Sequence, residues 1–254
     1  MKHHPFIWCM GLAMALASCH TAYEVASVSR TQILIDSAYD AHPDQKAAEY
    51  MKPYKQKVDS IMGPVVGVAA RYLSVYRPES PLSNLLADIM VWAGEKYGEK
   101  PDIGIYNIGG VRASIAKGEI TYGDVVDVAP FENKICFVTL SGENLLTLFE
   151  QIAHRGGEGV SHGVRLVITP DGKLVSASLN GHDIDPKRDY RIATIDYVAQ
   201  GNDQMTAFKQ GTNLVADDDP KNNSRFIIRD YFLSQQAKGQ IIDSKVEGRI
   251  TIKK

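Results

Sequence analysis

The stretch VRLVITPDGKLVSASLNGHDI, beginning at Val164, most limits what this chain can become. Apolar residues run on both sides of Pro170-Asp171-Gly172, and Asn180-Gly181 closes the second run. Turn residues of this kind join neighbouring antiparallel strands, so the chain contains hairpins. Other segments have helical spacing instead. In SNLLADIMVWAGEKYG the apolar positions 85, 86, 89, 90 and 93 lie on one face, with Ser83 as candidate N-cap. ENLLTLFEQIAH follows the apolar strand CFVTLSG, capped by Ser141, with Leu145, Leu148, Phe149 and Ile152 facing inward. DIGIY, YRIATID and the terminal GRITI read as further strands, and SRFIIRDYFLSQQAKG as a late helix. Hairpins mixed with helices, rather than strict strand–helix alternation, predict an α+β fold: a single layered domain of mixed sheets and helices.

Of the 254 residues, 44% are hydrophobic and 23% charged, which supports a substantial core. A net charge of −2 gives no field to gather a polyanion, and disfavours nucleic-acid binding. The first nineteen residues, MKHHPFIWCMGLAMALASC, have one lysine, an apolar run too short to span a bilayer, and small residues before a cysteine. They predict a signal peptide over residues 1–18. Leu16 to Cys19, LASC, resembles a bacterial lipobox, whose cysteine is lipidated and becomes the mature N-terminus; cleavage of an ordinary signal nearby is the alternative. Of three cysteines, Cys9 leaves with the signal and Cys19 is acylated. Cys136, within ICFVTL, is then a buried structural thiol with no partner for a disulfide. Residues 19–62 form a lipidated tether and an amphipathic linker helix that Pro53 starts or kinks. Residues 63–254 form one domain. The protein is expected in the bacterial cell envelope, held to a membrane by lipid and facing the periplasm or the surface.

Three loops carry candidate chemistry. Directly after DIGIY, YNIGGVRAS supplies Asn107, Gly109, Gly110 and Arg112. The glycines suit either a turn with positive φ or close approach of backbone to a ligand, with Asn107 and Arg112 as polar reader and fixed cation. VAPFENKI, which reads as a loop between strands, presents Phe131 beside Glu132 and Asn133. TIDYVAQGNDQM sets Tyr197 at a strand end, ahead of an irregular turn carrying Asn202 and Asp203.

Together with SPLSNLLADIM, AKGEITYGDV and VEGRITI, in this order from about residue 60 to the end, these motifs resemble the C-terminal domain of the 5′-nucleotidase and UDP-sugar hydrolase family. The resemblance implies that Phe131 and Tyr197 sandwich a base, which π-faces stack whatever its edge pattern. It implies that Asp203 accepts hydrogen bonds from the ribose hydroxyls, as an acceptor-only carboxylate can. Asn107 then holds the base or sugar, Arg112 the phosphate-proximal side, and Asn133 adds a contact beside Phe131. Arg77 falls near a family arginine, one position out of register with SNLLAD. Three residues depart from the usual pattern: Ile108 and Asn202 stand where glycine is common, and Tyr197 where phenylalanine is.

Full-length members of that family carry an N-terminal metallophosphatase domain whose two metals activate the attacking water. His20, His42, His154, His162 and His182 are scattered here without metal-ligand spacing, and no phosphate-cradling or nucleophile-elbow motif occurs. No cofactor is expected in this chain, and divalent metals only in a partner. The resemblance implies the nucleotide-recognition half of a split 5′-nucleotidase, with the metallophosphoesterase on a separate chain. A stand-alone nucleoside or nucleotide capture lipoprotein, and a structural lipoprotein that has lost its ligand, are the alternatives.

Overall fold

A computed structural model describes residues 24–41 and 43–253. Cys19 and the expected signal lie outside the described residues. The chain divides between Tyr50 and Met51 into two compact units. In the first, an exposed segment without regular secondary structure leads to a 3₁₀ turn, Ser37–Ala41. Helix α1, Gln45–Met62, crosses the division; Pro53 lies inside it rather than at its start, and it has no buried residue. No described helix is long and apolar enough to cross a membrane.

The second unit is built on a five-stranded sheet. Its centre is β2 (Ile103–Tyr106), β4 (Ile135–Ser141) and β9 (Asp189–Ile195), flanked by β5 (Gly159–Val160) and β10 (Thr212–Ala216) in the order β10-β4-β9-β2-β5. β4 and β9 run antiparallel from Ile135 opposite Ile195 to Ser141 opposite Asp189, whereas β2 and β9 are parallel. The candidate loops that follow β2 and β9 therefore leave the sheet at the same end of its strands. Every residue of β2 is buried, as expected of its unbroken apolar run.

The hairpin that the sequence announces forms β6 (Val164–Ile168) and β7 (Leu174–Leu179), with the short β8 (His182–Asp183) beyond Asn180 and Gly181, both of which have positive φ. β11 (Ile250–Ile252) adds parallel to β6, completing a four-stranded sheet. A two-stranded sheet pairs β1 (Val65–Ala69) with β3 (Gly118–Thr121). The fold is mixed α and β, as read from the sequence.

Helix α2, Pro81–Ala93, packs on β2 and β5. Its N-cap is Ser80, not Ser83: Pro81 fits the first turn, where no N–H partner is needed, and Ser83 closes the capping box from the third position. A short helix that the sequence reading missed, α3 (Tyr122–Val128), follows β3, so Phe131 sits between a helix and a strand rather than between two strands. Helix α4, Gly142–His154, is capped by Ser141 and buries Leu145, Leu148, Phe149 and Ile152 completely. After β9 comes the short α5 (Asp196–Ala199), and α6 (Ser224–Ala237) lies against β1 and α2. Cys136 is buried on β4, and burial pushes its thiol up to about 12, which makes it inert.

Candidate ligand-binding site

Where β2 leaves the sheet, Asn107 is 2% exposed and begins a single 3₁₀ turn, Ile108–Gly110. Neither Gly109 nor Gly110 has positive φ, so the glycines are not there for turn conformation. They are there for space. A Cβ on Gly110 would lie 2.9 Å from Asn107 Oδ1, and one on Gly109 would lie 3.3 Å from Asp203 Oδ2. Asn107 Nδ2 donates to Asp203 Oδ2 at 2.7 Å, while Asn107 Oδ1 is buried with no hydrogen-bond partner.

From the end of β9, α5 exposes Tyr197 and leads into a tight loop. Gly201, Asp203 and Gln204 all have positive φ there, a costly conformation for the last two. Asn202 does not need it; its side-chain amide donates instead to the Tyr197 carbonyl at 2.8 Å and ties the loop shut. The Tyr197 hydroxyl lies 3.3 Å from Asp203 Oδ1, and the aspartate's charge raises the phenol above its usual range, which keeps it a donor.

The third wall is the segment between α3 and β4. Arg225 Nη2 donates to the Pro130 carbonyl, and Ser224 N to that of Asn133, which pins the segment on both sides of Phe131. Phe131 remains 42% exposed. The Arg112 guanidinium stands 5.1 Å from its ring centroid, without a carboxylate partner among the described residues. Asn107, Gly109, Gly110, Arg112, Phe131, Asn133, Tyr197 and Asp203 together line one cavity of about 290 Å³. Two aromatic rings, a cation, an aspartate and amide groups converge on it, a lining suited to a flat, polar-edged ligand.

Arg77 is outside that lining. Its guanidinium binds the Gly157 carbonyl and Glu158 instead. Two further residues that sequence reasoning passed over stand behind the cavity. Glu158 has a fully buried side chain that pairs with Arg77 and Arg155 and accepts from the Ile108 amide. Arg155 also reaches Asp203. In sequence, their only signal is a pair of opposite charges around Gly156-Gly157 at a helix end. The described residues do not fit a catalytic metal: no three His, Cys, Asp or Glu among them come together to hold one.

The family model of the 5′-nucleotidase C-terminal domain matches residues 64–210. Over 236 residues the chain is 28% identical to the trifunctional nucleotide phosphoesterase protein YfkN of Bacillus subtilis, covering 85% of this chain and 16% of that protein. Over 105 residues it is 31% identical to protein UshA of Escherichia coli, covering 40% and 19%. Among solved structures, the 5′-nucleotidase precursor of Thermus thermophilus superposes with a TM-score of 0.69 at 30% identity, over 82% of this chain and 43% of that one. The chain thus spans less than half the length of each of these relatives. With more than half of its residues inside the family model, it belongs to the 5′-nucleotidase C-terminal domain family.

Proposed function

We propose that this chain binds the nucleoside part of a nucleotide and is the recognition half of a split 5′-nucleotidase. Family membership supports a nucleotide as the ligand. The observation that carries the reading further is the convergence of Phe131, Tyr197, Asp203, Asn107 and Arg112 on one cavity from three loops far apart in sequence. A base stacks between the two rings, the ribose hydroxyls donate to Asp203, and Arg112 faces the phosphate side, where a planar guanidinium suits phosphate oxygens. Binding energy gathered here orients the phosphate ester for a metallophosphoesterase on another chain, which supplies the divalent metals. Cys19 carries the lipid that holds the protein to a membrane of the bacterial cell envelope; two acyl signals are needed for stable attachment, so the diacylated form is the anchored one.

The test is a thermal-shift and calorimetric screen of the purified protein against nucleosides, nucleoside monophosphates and UDP-sugars. Nucleosides and nucleotides should raise its melting temperature, and the protein should raise kcat/KM of its cognate phosphoesterase. Absence of any ligand-dependent stabilisation would refute the reading, as would metal-dependent turnover by this chain alone. Cys19→Ser should release it from membranes.

A further inference from the structure

Arg155 touches neither ring and does not line the cavity, yet it connects the site to the most deeply buried carboxylate behind it. We propose that Arg155 is a positioning residue that sets the site's preference for a ribose with both hydroxyls, by holding Asp203 from a guanidinium anchored on Glu158. The proposal rests on the nucleoside reading above.

Glu158 is a carboxylate with 0% side-chain exposure, and such a charge needs compensation. Arg77 Nη2 supplies one cation, and the Ile108 amide supplies a hydrogen bond. Arg155 brings a second cation, Nε donating to Glu158 Oε1 at 2.7 Å. Two cations for one buried carboxylate leave positive charge in excess. The other arm of Arg155 takes that excess to Asp203, with Nη2 3.6 Å from Oδ2. The chain geometry is made for this bridge. Arg155 is the C-cap of α4, and Gly156 and Gly157, both with positive φ, turn the chain back so that Glu158 lies beneath it. No other residue fits at Gly157, where a Cβ would lie 2.2 Å from the Pro78 carbonyl oxygen.

Asp203 needs such a hold because its backbone has φ of 53°, a region a non-glycine residue keeps only when its surroundings insist. Tyr197 reaches its Oδ1, and Asn107 and Arg155 its Oδ2. An ionised carboxylate offers about four lone-pair directions. The two hydrogen bonds leave about two free, enough for a vicinal diol. At 3.6 Å the guanidinium attracts the carboxylate without taking another of those directions.

Arg155→Lys separates this role from a structural one. Lysine keeps a cation for Glu158, yet a single ammonium on a flexible stem cannot present Nε and Nη2 to two carboxylates. The probes are adenosine, guanosine, cytidine and uridine, each beside its 2′,3′-dideoxy counterpart, titrated by calorimetry into the purified protein and its variants. The unsubstituted protein should prefer the ribonucleoside. Arg155→Lys should lower ribonucleoside affinity about tenfold while the dideoxy form stays within about twofold, the size of one charge-assisted contact in a partly buried site. In an Asp203→Asn background, Arg155→Lys should cost little more. If Arg155→Lys does not fold, Arg155→Met with Glu158→Gln, which removes both buried charges together, carries the same expectation. An unchanged ribose preference in either variant overturns the proposal and leaves the nucleoside reading standing. Failure of the unsubstituted protein to bind any of the eight compounds overturns both.

Discussion

Gly110→Ala isolates why a glycine pair stands at the end of β2. The backbone at Gly110 is not in the left-handed region, so alanine can adopt it. Substitution at a permitted conformation stabilises by about 0.4–1 kcal/mol through the unfolded chain. Against this, the new Cβ meets Asn107 Oδ1 at 2.9 Å, Nδ2 at 3.3 Å and Cγ at 3.4 Å. Asn107 is 2% exposed and has little room to retreat, so its amide must move by a few tenths of an ångström. That movement strains the 2.7 Å hydrogen bond to Asp203. Hydrogen bonds to charged groups contribute about 1.5–3 kcal/mol to a fold, and an Asp203 no longer held in place must be ordered by the ligand, so part of that loss, about 1–2 kcal/mol or roughly 5–30-fold, reappears in binding. Folding stability should fall by about 1–2 kcal/mol, because the overlap and the strained hydrogen bond outweigh the gain. Gly109→Ala should do less, since its Cβ would lie 3.3 Å from Asp203 Oδ2 and 3.9 Å from Asn107 Nδ2, a looser fit than the 2.9 Å at Gly110. Calorimetric titration with the preferred ribonucleoside and scanning calorimetry measure the two effects. Parental affinity in Gly110→Ala would show that room beside Asn107 is not what the glycine supplies.

The aromatic walls, the C-terminal anchor and the acid limb give three more expectations. Phe131→Ala should weaken nucleoside binding by about 1–3 kcal/mol in calorimetry, whereas Tyr197→Phe should cost under about 1 kcal/mol, because its 3.3 Å contact with Asp203 is long and exposed. Arg249, 2% exposed, donates to Asp88, Glu247 and the carbonyls of Asn84 and Val160, so Arg249→Met should destabilise by about 3–5 kcal/mol in denaturant unfolding. The Arg191 hydrogen bonds hold Glu99 below its ordinary value of 4.5; burial acts to raise Glu247, but His162 and Arg249 outweigh it and lower it. Folded-state values below unfolded ones give stability that is present above about pH 4.5 and lost as the pH falls through the depressed values. Scanning calorimetry between about pH 3 and pH 6 should show a falling melting temperature, with a shallower fall in Glu99→Gln.

What could be read in the sequence was whatever local chemistry dictates. The Pro-Asp-Gly and Asn-Gly turns specified β6, β7 and β8, and the apolar spacing behind Ser141 specified the buried face of α4. The three loops that line the cavity stood out because each leaves a strand or helix end with polar, aromatic or glycine residues that no apolar pattern explains, whereas Arg77, singled out with them, lies outside the lining. Features that depend on distant neighbours were not legible. Ser83 resembles an N-cap until Ser80 and Pro81 are seen to start the helix. Gly109 and Gly110 could be turn residues or space until Asn107 and Asp203 are placed beside them. Glu158 carries no sign of burial in its own segment; Arg77, eighty-one positions away, and the end of β2 enclose it.

The two halves of the cavity are held very differently, and the difference bears on what a phosphate adds. Asn107 and Asp203 are hydrogen-bonded to each other and backed by Arg155 on Glu158, so the polar half is set before a ligand arrives. Preorganised groups lose little freedom on binding. Phe131 and Tyr197, at 42% and 39% exposure, are the half that gains by being covered. Arg112 belongs to neither half: it rests on the Phe131 ring, a contact of about 0.5–1 kcal/mol at an exposed site. A charge-assisted hydrogen bond to phosphate is stronger, about 1.5–3 kcal/mol, and a guanidinium can make two in parallel. A phosphate within reach therefore draws Arg112 from the ring, whereas a nucleoside leaves it there. Arg112→Lys should on this account spare nucleosides and weaken nucleotides, and equal losses for both in calorimetric titration would mean that Arg112 serves the ring alone.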